Sequence, residues 1–183
     1  MFQNKGYCAC FSVKSPFFLY GRQPSAKRLV EINRYIKIIV VKQINELLDE
    51  KYKPDIFWFD GHWKIKSKYA KNKIHELLLK IKKEGIIIND RVPEDSLNLV
   101  DFKNVTDRYI PEEKIENWEH VNTIGYSWGY NKEQTEKDYK TKEELKNLYN
   151  KVTELGGKFL LNLGPNKDGE ICEFENEKLD FLN

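Results

Sequence analysis

Asp55-Ile56-Phe57-Trp58-Phe59-Asp60-Gly61 restricts the fold of this chain more than any other stretch. Four large apolar residues stand in a row, without the polar alternation of a half-solvated strand. Such a run suits a strand covered on both faces, and strands of that kind belong to parallel sheets with helices packed outside. The sequence on either side repeats the alternation. Tyr7 to Val13 is a short aromatic, Cys, Ala and Val run suited to a strand. From Ala26 to Glu50, Leu29, Ile32, Ile36, Val40, Ile44, Leu47 and Leu48 recur at helical spacing until Lys53-Pro54 stops them. Beyond Gly61, Ile74, Leu77, Leu78 and Ile81 stripe a second helix that Gly85 ends, and Ile86-Ile87-Ile88 is a β-branched strand. Val121 to Tyr126 makes a weaker strand. Thr141 and Glu144 have capping-box form ahead of Leu145, Leu148, Tyr149, Val152 and Leu155. Gly156-Gly157 closes that helix, and Phe159-Leu160-Leu161-Asn162-Leu163 is a last strand before the turn-rich Gly164-Pro165-Asn166-Lys167-Asp168-Gly169.

About five strands alternating with helices predict an α/β chain built on a parallel sheet. A (β/α)8 barrel takes about 250 residues, so 183 residues and five strands predict an incomplete, TIM-like barrel occupying 1–183. Residues 92–119 are polar, acid-rich and broken by Pro93 and Pro111, the pattern of a long functional loop.

Charge and composition narrow the partners. Thirty-one Lys and Arg against 29 Asp and Glu leave +2, which gives no electrostatic case for nucleic acid or an anionic membrane as the main partner. No run of about 18 apolar residues offers a bilayer span. Cys8, Cys10 and Cys172 are too few for a disulfide framework, and three separated histidines make a poor zinc cluster, so neither metal nor cofactor is expected. Lys64, Lys66, Lys68, Lys71 and Lys73 read as a solvated helix entry. Met1-Phe2-Gln3-Asn4-Lys5 is not followed by the apolar segment of a secretory signal, so the sequence supplies no address.

In a parallel α/β barrel the chemistry sits at the carboxyl ends of the strands. Asp60, where the apolar run ends, fits that place. A helix cap or a loop ion pair would explain it equally well by position alone. The order of motifs decides between them. The segment Pro54 to Trp63 resembles the nucleophile segment of the α-L-fucosidases of glycoside hydrolase family 29. Ile88-Asn89-Asp90-Arg91 resembles the family's "VNDR" strand end. Trp118-Glu119, Thr123-Ile124 and Ser127-Trp128-Gly129-Tyr130 resemble "WE…TI…SWGY". Gly156 to Pro165 with Lys167-Asp168-Gly169 resembles "GGNLLLNIGP…DG". Gln43 with Glu46-Leu47, and Phe11-Ser12 with Phe17 to Tyr20, are weaker echoes of "QLKEL" and "YYS…WFNPLY". The likeness runs over about residues 31–170.

The resemblance implies a retaining hydrolase that removes terminal α-L-fucose from glycans, with a fucosylated glycan as substrate. Retention takes two carboxyl groups about 5–5.5 Å apart, one attacking the anomeric carbon and one protonating the leaving oxygen. Asp60 holds the nucleophile position. Asp107, in Thr106-Asp107-Arg108-Tyr109-Ile110-Pro111, is favoured as the acid/base, and Glu119 is its rival. Glu94, Asp95, Asp101, Glu112, Glu113 and Glu116 are read mostly as solvated surface acids. Trp58, Arg91 and Trp128 are the implied sugar contacts: the guanidinium offers a fork of donors to hydroxyl oxygens, and the indoles offer flat faces to the C–H surface and methyl of fucose. Core packing is the alternative for both tryptophans. His62 is expected to be a hydrogen-bond partner near Asp60 without a chemical role, His75 an ordinary helix residue, and Asn89 and Asn162 hydrogen-bonders of loops at the barrel mouth.

The match has gaps. The family's first three barrel strands and its C-terminal β-sandwich are not recognisable, and "NDRWG" reads Asn89-Asp90-Arg91-Val92-Pro93 here. The chain therefore resembles the second part of a catalytic barrel, to be completed by a missing N-terminal half or by a homo-oligomer. By itself it is expected to hydrolyse fucosides weakly or not at all. A non-catalytic fucose-binding remnant and a glycosidase of another specificity are the alternative readings. Family members are lysosomal or secreted.

Overall fold

A computed structural model describes Cys8–Ser12 and residues 26–182. Residues Phe17 to Tyr20, one of the weaker family echoes, and the side chains of Cys8 and Cys10 lie outside the described residues. The architecture is α/β, with five strands in two short parallel sheets among the described residues. Two compact units divide the chain, Met1–Asp101 and Phe102–Asn183.

In the first unit, β1 (Cys8–Ser12), β2 (Ile56–Asp60) and β3 (Ile87–Ile88) pair in that order, all parallel. The register sets Cys8 opposite Ile56, Ser12 opposite Asp60 and Phe57 opposite Ile88. Along β2 the burial alternates. Phe57 and Phe59 are buried, whereas Ile56, Trp58 and Asp60 are half-buried. The expectation of a strand covered on both faces is thus corrected: the phenylalanine rings, 6.0 Å apart, join the aliphatic core, and Trp58 and Asp60 share the other, partly open face.

The long helix predicted from Ala26 has three parts, α1 (Ala26–Tyr35), a π-helical turn over Ile36–Val40, and α2 (Val41–Leu47). The apolar spacing explains the interruption. Ile36, Val40 and Ile44 are all buried and lie four residues apart, a step that overruns the 3.6 residues of an α-helical turn. Widening one turn returns all three to the core face. Helix α3 (Lys68–Lys83) starts at Ser67, whose hydroxyl accepts from the Ala70 N–H at 3.0 Å. Gly85, with φ at 74°, ends it as the sequence indicates.

The segment 92–119 is more structured than a loop. A 3-10 helix covers Glu94–Leu99, and Lys103 bridges Trp118 in parallel sense. Asp101 is not a bystander acid: its carboxylate accepts from the Ile88 N–H at 2.8 Å and from Lys82 Nζ at 2.6 and 2.8 Å.

In the second unit, β4 (Glu119–Thr123) pairs with β5 (Lys158–Asn162) across α4 (Lys142–Glu154), a single βαβ unit followed by the short α5 (Glu173–Lys178). Strand β4 starts two residues before the Val121 expected from sequence. Trp118, 1% exposed, leads into it and donates from Nε1 to the Leu155 carbonyl at 3.2 Å. Gly157 is required there, since a Cβ would run into that indole and Val152. The predicted capping box at α4 has both arms, Glu144 N–H to Thr141 Oγ1 at 3.1 Å and Thr141 N–H to Glu144 Oε2 at 2.7 Å.

Candidate active site

Asp60 is the last residue of β2, and Gly61 follows it in the left-handed region at φ 87°. A side chain disfavours that conformation, so the glycine turns the backbone away while the carboxylate stays at the strand end. Arg91 donates from Nη1 to Asp60 Oδ1 at 3.0 Å, and its guanidinium lies 4.8 Å over the Trp58 ring. The side chain of the arginine is 9% exposed and that of Asp60 27%, so this ion pair sits at the boundary of the core. Trp58, Asp60 and Arg91 therefore form one cluster, stacked and charge-matched.

Asn89 anchors the strand that carries Asp60. Strand β3 has only two residues, too few to hold the end of β2 through its backbone. The Asn89 side chain, fully buried, takes over: Oδ1 accepts from the Phe59 N–H at 2.6 Å and Nδ2 donates to the Phe59 carbonyl at 2.9 Å. An amide side chain thus stands in for a peptide group of the ladder. Asn89 thereby grips the strand that carries Asp60.

His62 follows the glycine turn. Its Nδ1 is buried without a hydrogen-bond partner, and its ring meets Trp63 edge-on at 5.2 Å. Burial, and then the Arg91 cation, hold this imidazole below its ordinary 6.5 against the opposing fields of Asp60 and Asp90. His75 lies on α3 and pairs with Ser96 Oγ at 2.9 Å.

The other residues singled out by sequence lie in the second unit. Asp107 is exposed, in a turn closed by the Tyr109 N–H on the Thr106 carbonyl at 3.0 Å. The segment leading to it runs parallel to β4, from Lys103 beside Trp118 to Arg108, whose N–H donates to the Val121 carbonyl at 2.8 Å. Asp107 is thus carried toward the carboxyl end of β4. Glu119 is the first residue of β4, half-buried, and accepts from Asn104 Nδ2 at 2.7 Å. At about 3.3 Å per residue, it stands some ~13 Å of strand from Thr123 at the carboxyl end. Trp128, 42% exposed, is fixed through its carbonyl by Asn162 Nδ2 at 2.5 Å, the loop contact expected of Asn162.

The buried face of β4 is polar and fully matched. His120 donates from Nδ1 to the Tyr109 carbonyl at 2.8 Å, and its Nε2 accepts from Asn122 Nδ2 at 3.0 Å. The Asn122 amide is oriented by its Oδ1, which accepts from the Thr123 N–H at 2.9 Å. Burial pushes the His120 imidazole below its ordinary 6.5, and a second proton would face the Asn122 donor. At the end of β4, Lys140 Nζ donates to the Thr123 carbonyl at 2.6 Å, with its ammonium pushed below the ordinary 10.5 by burial and by nearby Arg108. Sequence reasoning gave Arg108, Lys140 and His120 no part. A cation directly after the favoured acid was the visible signal for Arg108, whereas Lys140 is brought to Thr123 by tertiary contact alone.

Comparison with known proteins identifies the family. A sequence profile described as Alpha-L-fucosidase matches residues 6–182. The chain belongs to that family. Human tissue alpha-L-fucosidase is 31% identical over 149 residues, covering 77% of this chain and 32% of the human protein. The alpha-L-fucosidase of Dictyostelium discoideum is 29% identical over 172 residues, 90% of this chain and 36% of that protein. Among solved structures, the Thermotoga maritima alpha-fucosidase superposes with TM-score 0.61 at 28% identity, over 87% of this chain and 33% of that one. The alpha-L-fucosidase of Vibrio sp. strain EJY3 gives 0.70 at 26% identity, over 80% and 26%. The chain therefore spans about a third of the length of the curated fucosidases it matches. Among the described residues no helix is long and apolar enough to cross a membrane, and no three His, Cys, Asp or Glu side chains converge as a metal site would need.

Proposed function

We propose that this chain is part of the (β/α)8 catalytic barrel of an α-L-fucosidase that hydrolyses terminal α-L-fucose from glycoconjugates with retention. The observation that carries this reading is Asp60, held at the carboxyl end of β2 by Arg91 above Trp58. Asp60 is the nucleophile. One oxygen remains engaged with Arg91 while the other attacks the anomeric carbon, forming a glycosyl ester as the C–O bond to the leaving group breaks. Asp107 is the acid/base. It protonates the departing oxygen and then takes a proton from the water that opens the ester. Its place toward the carboxyl end of β4 favours it over Glu119, which begins that strand and is engaged by Asn104. Trp58 and Trp128 present indole faces to the sugar, and Arg91 steadies the charge at the nucleophile.

Because the part-barrel alone is expected to be weak, the test is residual turnover of an activated aryl α-L-fucoside at high enzyme concentration by the purified chain, by Asp60→Asn and by Asp60→Ala. Asparagine keeps an oxygen acceptor for Arg91, so that variant folds and loses hydrolysis. Azide added to Asp60→Ala should return an inverted fucosyl azide. Fucoside hydrolysis undiminished in Asp60→Asn overturns the assignment. Fucose binding without turnover in the unsubstituted chain supports a binding remnant, and faster cleavage of aryl galactosides supports another specificity.

A further inference from the structure

Arg108 is attached at several points beyond its own turn, and it makes those attachments from a strained backbone. Its φ is 63°, in the left-handed region that non-glycine residues avoid at about 1–2 kcal/mol. Its N–H donates to the Val121 carbonyl at 2.8 Å. Its guanidinium donates to Thr123 Oγ1 at 3.1 Å and to the Tyr126 carbonyl at 2.7 Å, and lies 5.3 Å over the Trp128 ring. A residue with an ordinary surface role has no need to hold a disfavoured conformation so that one side chain can reach both the end of a strand and the loop beyond it.

We propose that Arg108 is a positioning residue that fastens the Asp107 turn to the carboxyl end of β4 and to Trp128, so that the acid/base and the sugar-facing indole are held in one piece. This rests on Asp107 being the acid/base. The backbone bond to Val121 fixes the height of the turn along β4. Nη2 alone donates to both Thr123 Oγ1 and the Tyr126 carbonyl, and the plane of the guanidinium lying over the indole sets the tilt of the Trp128 ring. Lysine, a point donor without a planar face, cannot reproduce that combination.

The kinetic test compares Asp107→Asn, Arg108→Ala and Arg108→Lys on aryl α-L-fucosides whose leaving groups range from acidic to weakly acidic phenols. A weakly acidic phenol needs the general acid and an acidic one does not. Both Arg108 variants should lower kcat/KM on the poor leaving groups by about tenfold or more and leave kcat/KM on the dinitrophenyl substrate nearly unchanged, the pattern also expected of Asp107→Asn. Should Asp107→Asn lack this dependence, the acid/base reading fails and the proposal with it. Should Asp107→Asn show it and the Arg108 variants not, the proposal alone fails. Hydrogen exchange on the full chain gives a readout independent of turnover. Replacing Arg108 should speed exchange in residues 105–110 and leave the β5 amides protected, and unchanged exchange in 105–110 overturns the proposal. Arg108→Lys, which keeps the charge and aliphatic stem, serves in this assay if the alanine variant does not fold.

Discussion

Asn89 offers the sharpest physical test of how the strand end is built. Replacing it with alanine removes two side-chain bonds to the Phe59 backbone in a fully buried place. At about 1–3 kcal/mol for each group that loses its bond, the loss is roughly 2–6 kcal/mol, a large part of the 5–15 kcal/mol that stabilises an ordinary domain. Asn89→Asp is more discriminating because its shape is the same. One carboxylate oxygen can still accept from the Phe59 N–H, but the other meets the Phe59 carbonyl, acceptor against acceptor, with a charge inside the core. Near neutral pH that should destabilise by on the order of 3–5 kcal/mol. A protonated carboxyl has an O–H to give to the carbonyl and restores both bonds. Protonation is therefore favoured in the folded state, the unfolded chain holds fewer protons, and the stability of this variant must rise as pH falls from 7 toward 5. Urea denaturation of the wild type and the two variants across that range, followed by tryptophan fluorescence and by exchange of the β2 amides, measures this. An Asn89→Asp variant as stable as the wild type at pH 7, or one that loses stability in parallel with it on acidification, refutes the reasoning.

Three further outcomes are expected. His62 and His120 are both held below 6.5 in the folded state, so below that pH the unfolded chain binds more protons; their contribution to stability rises with pH through the window beneath 6.5 and is level above it. The difference between wild type and His120→Gln, measured by denaturation at pH 5 and 7.5, isolates this from Glu175, whose carboxyl is pushed above its usual range by burial and acts with the opposite sign; a difference independent of pH would contradict it. Gly157→Ala drives a Cβ into the Trp118 indole, which is pinned at Leu155 and cannot yield, and should cost about 1–3 kcal/mol in urea denaturation. Thr141→Ala removes the hydroxyl arm of the α4 capping box and should cost about 0.5–2 kcal/mol, with faster exchange confined to the first turn of that helix.

The legible parts of the site are those written in consecutive residues. Asp60 at the end of an apolar strand, Gly61 as the turn, Ser127 to Tyr130 as a motif and the capping box at Thr141 all follow from local chemistry. Two local expectations were incomplete for identifiable reasons. Four consecutive apolar residues suggested burial on both faces, yet β2 turns Trp58 toward Arg91, and an indole needs only one covered face. A stripe at helical spacing gave no warning of the π turn, although the four-residue steps Ile36, Val40, Ile44 contain its cause.

What the sequence determines unaided is the alternation of strand and helix, the near-zero charge balance and the family, because apolar periodicity and motif order are properties of the chain itself. The tertiary structure alone decides which polar groups meet. Asn89 finds Phe59 across 30 residues, Arg91 reaches Asp60 across 31, and Lys140 reaches Thr123 across 17. These pairings depend on strand register and on where each helix returns the chain. No local propensity encodes the distance between two side chains that only packing brings together.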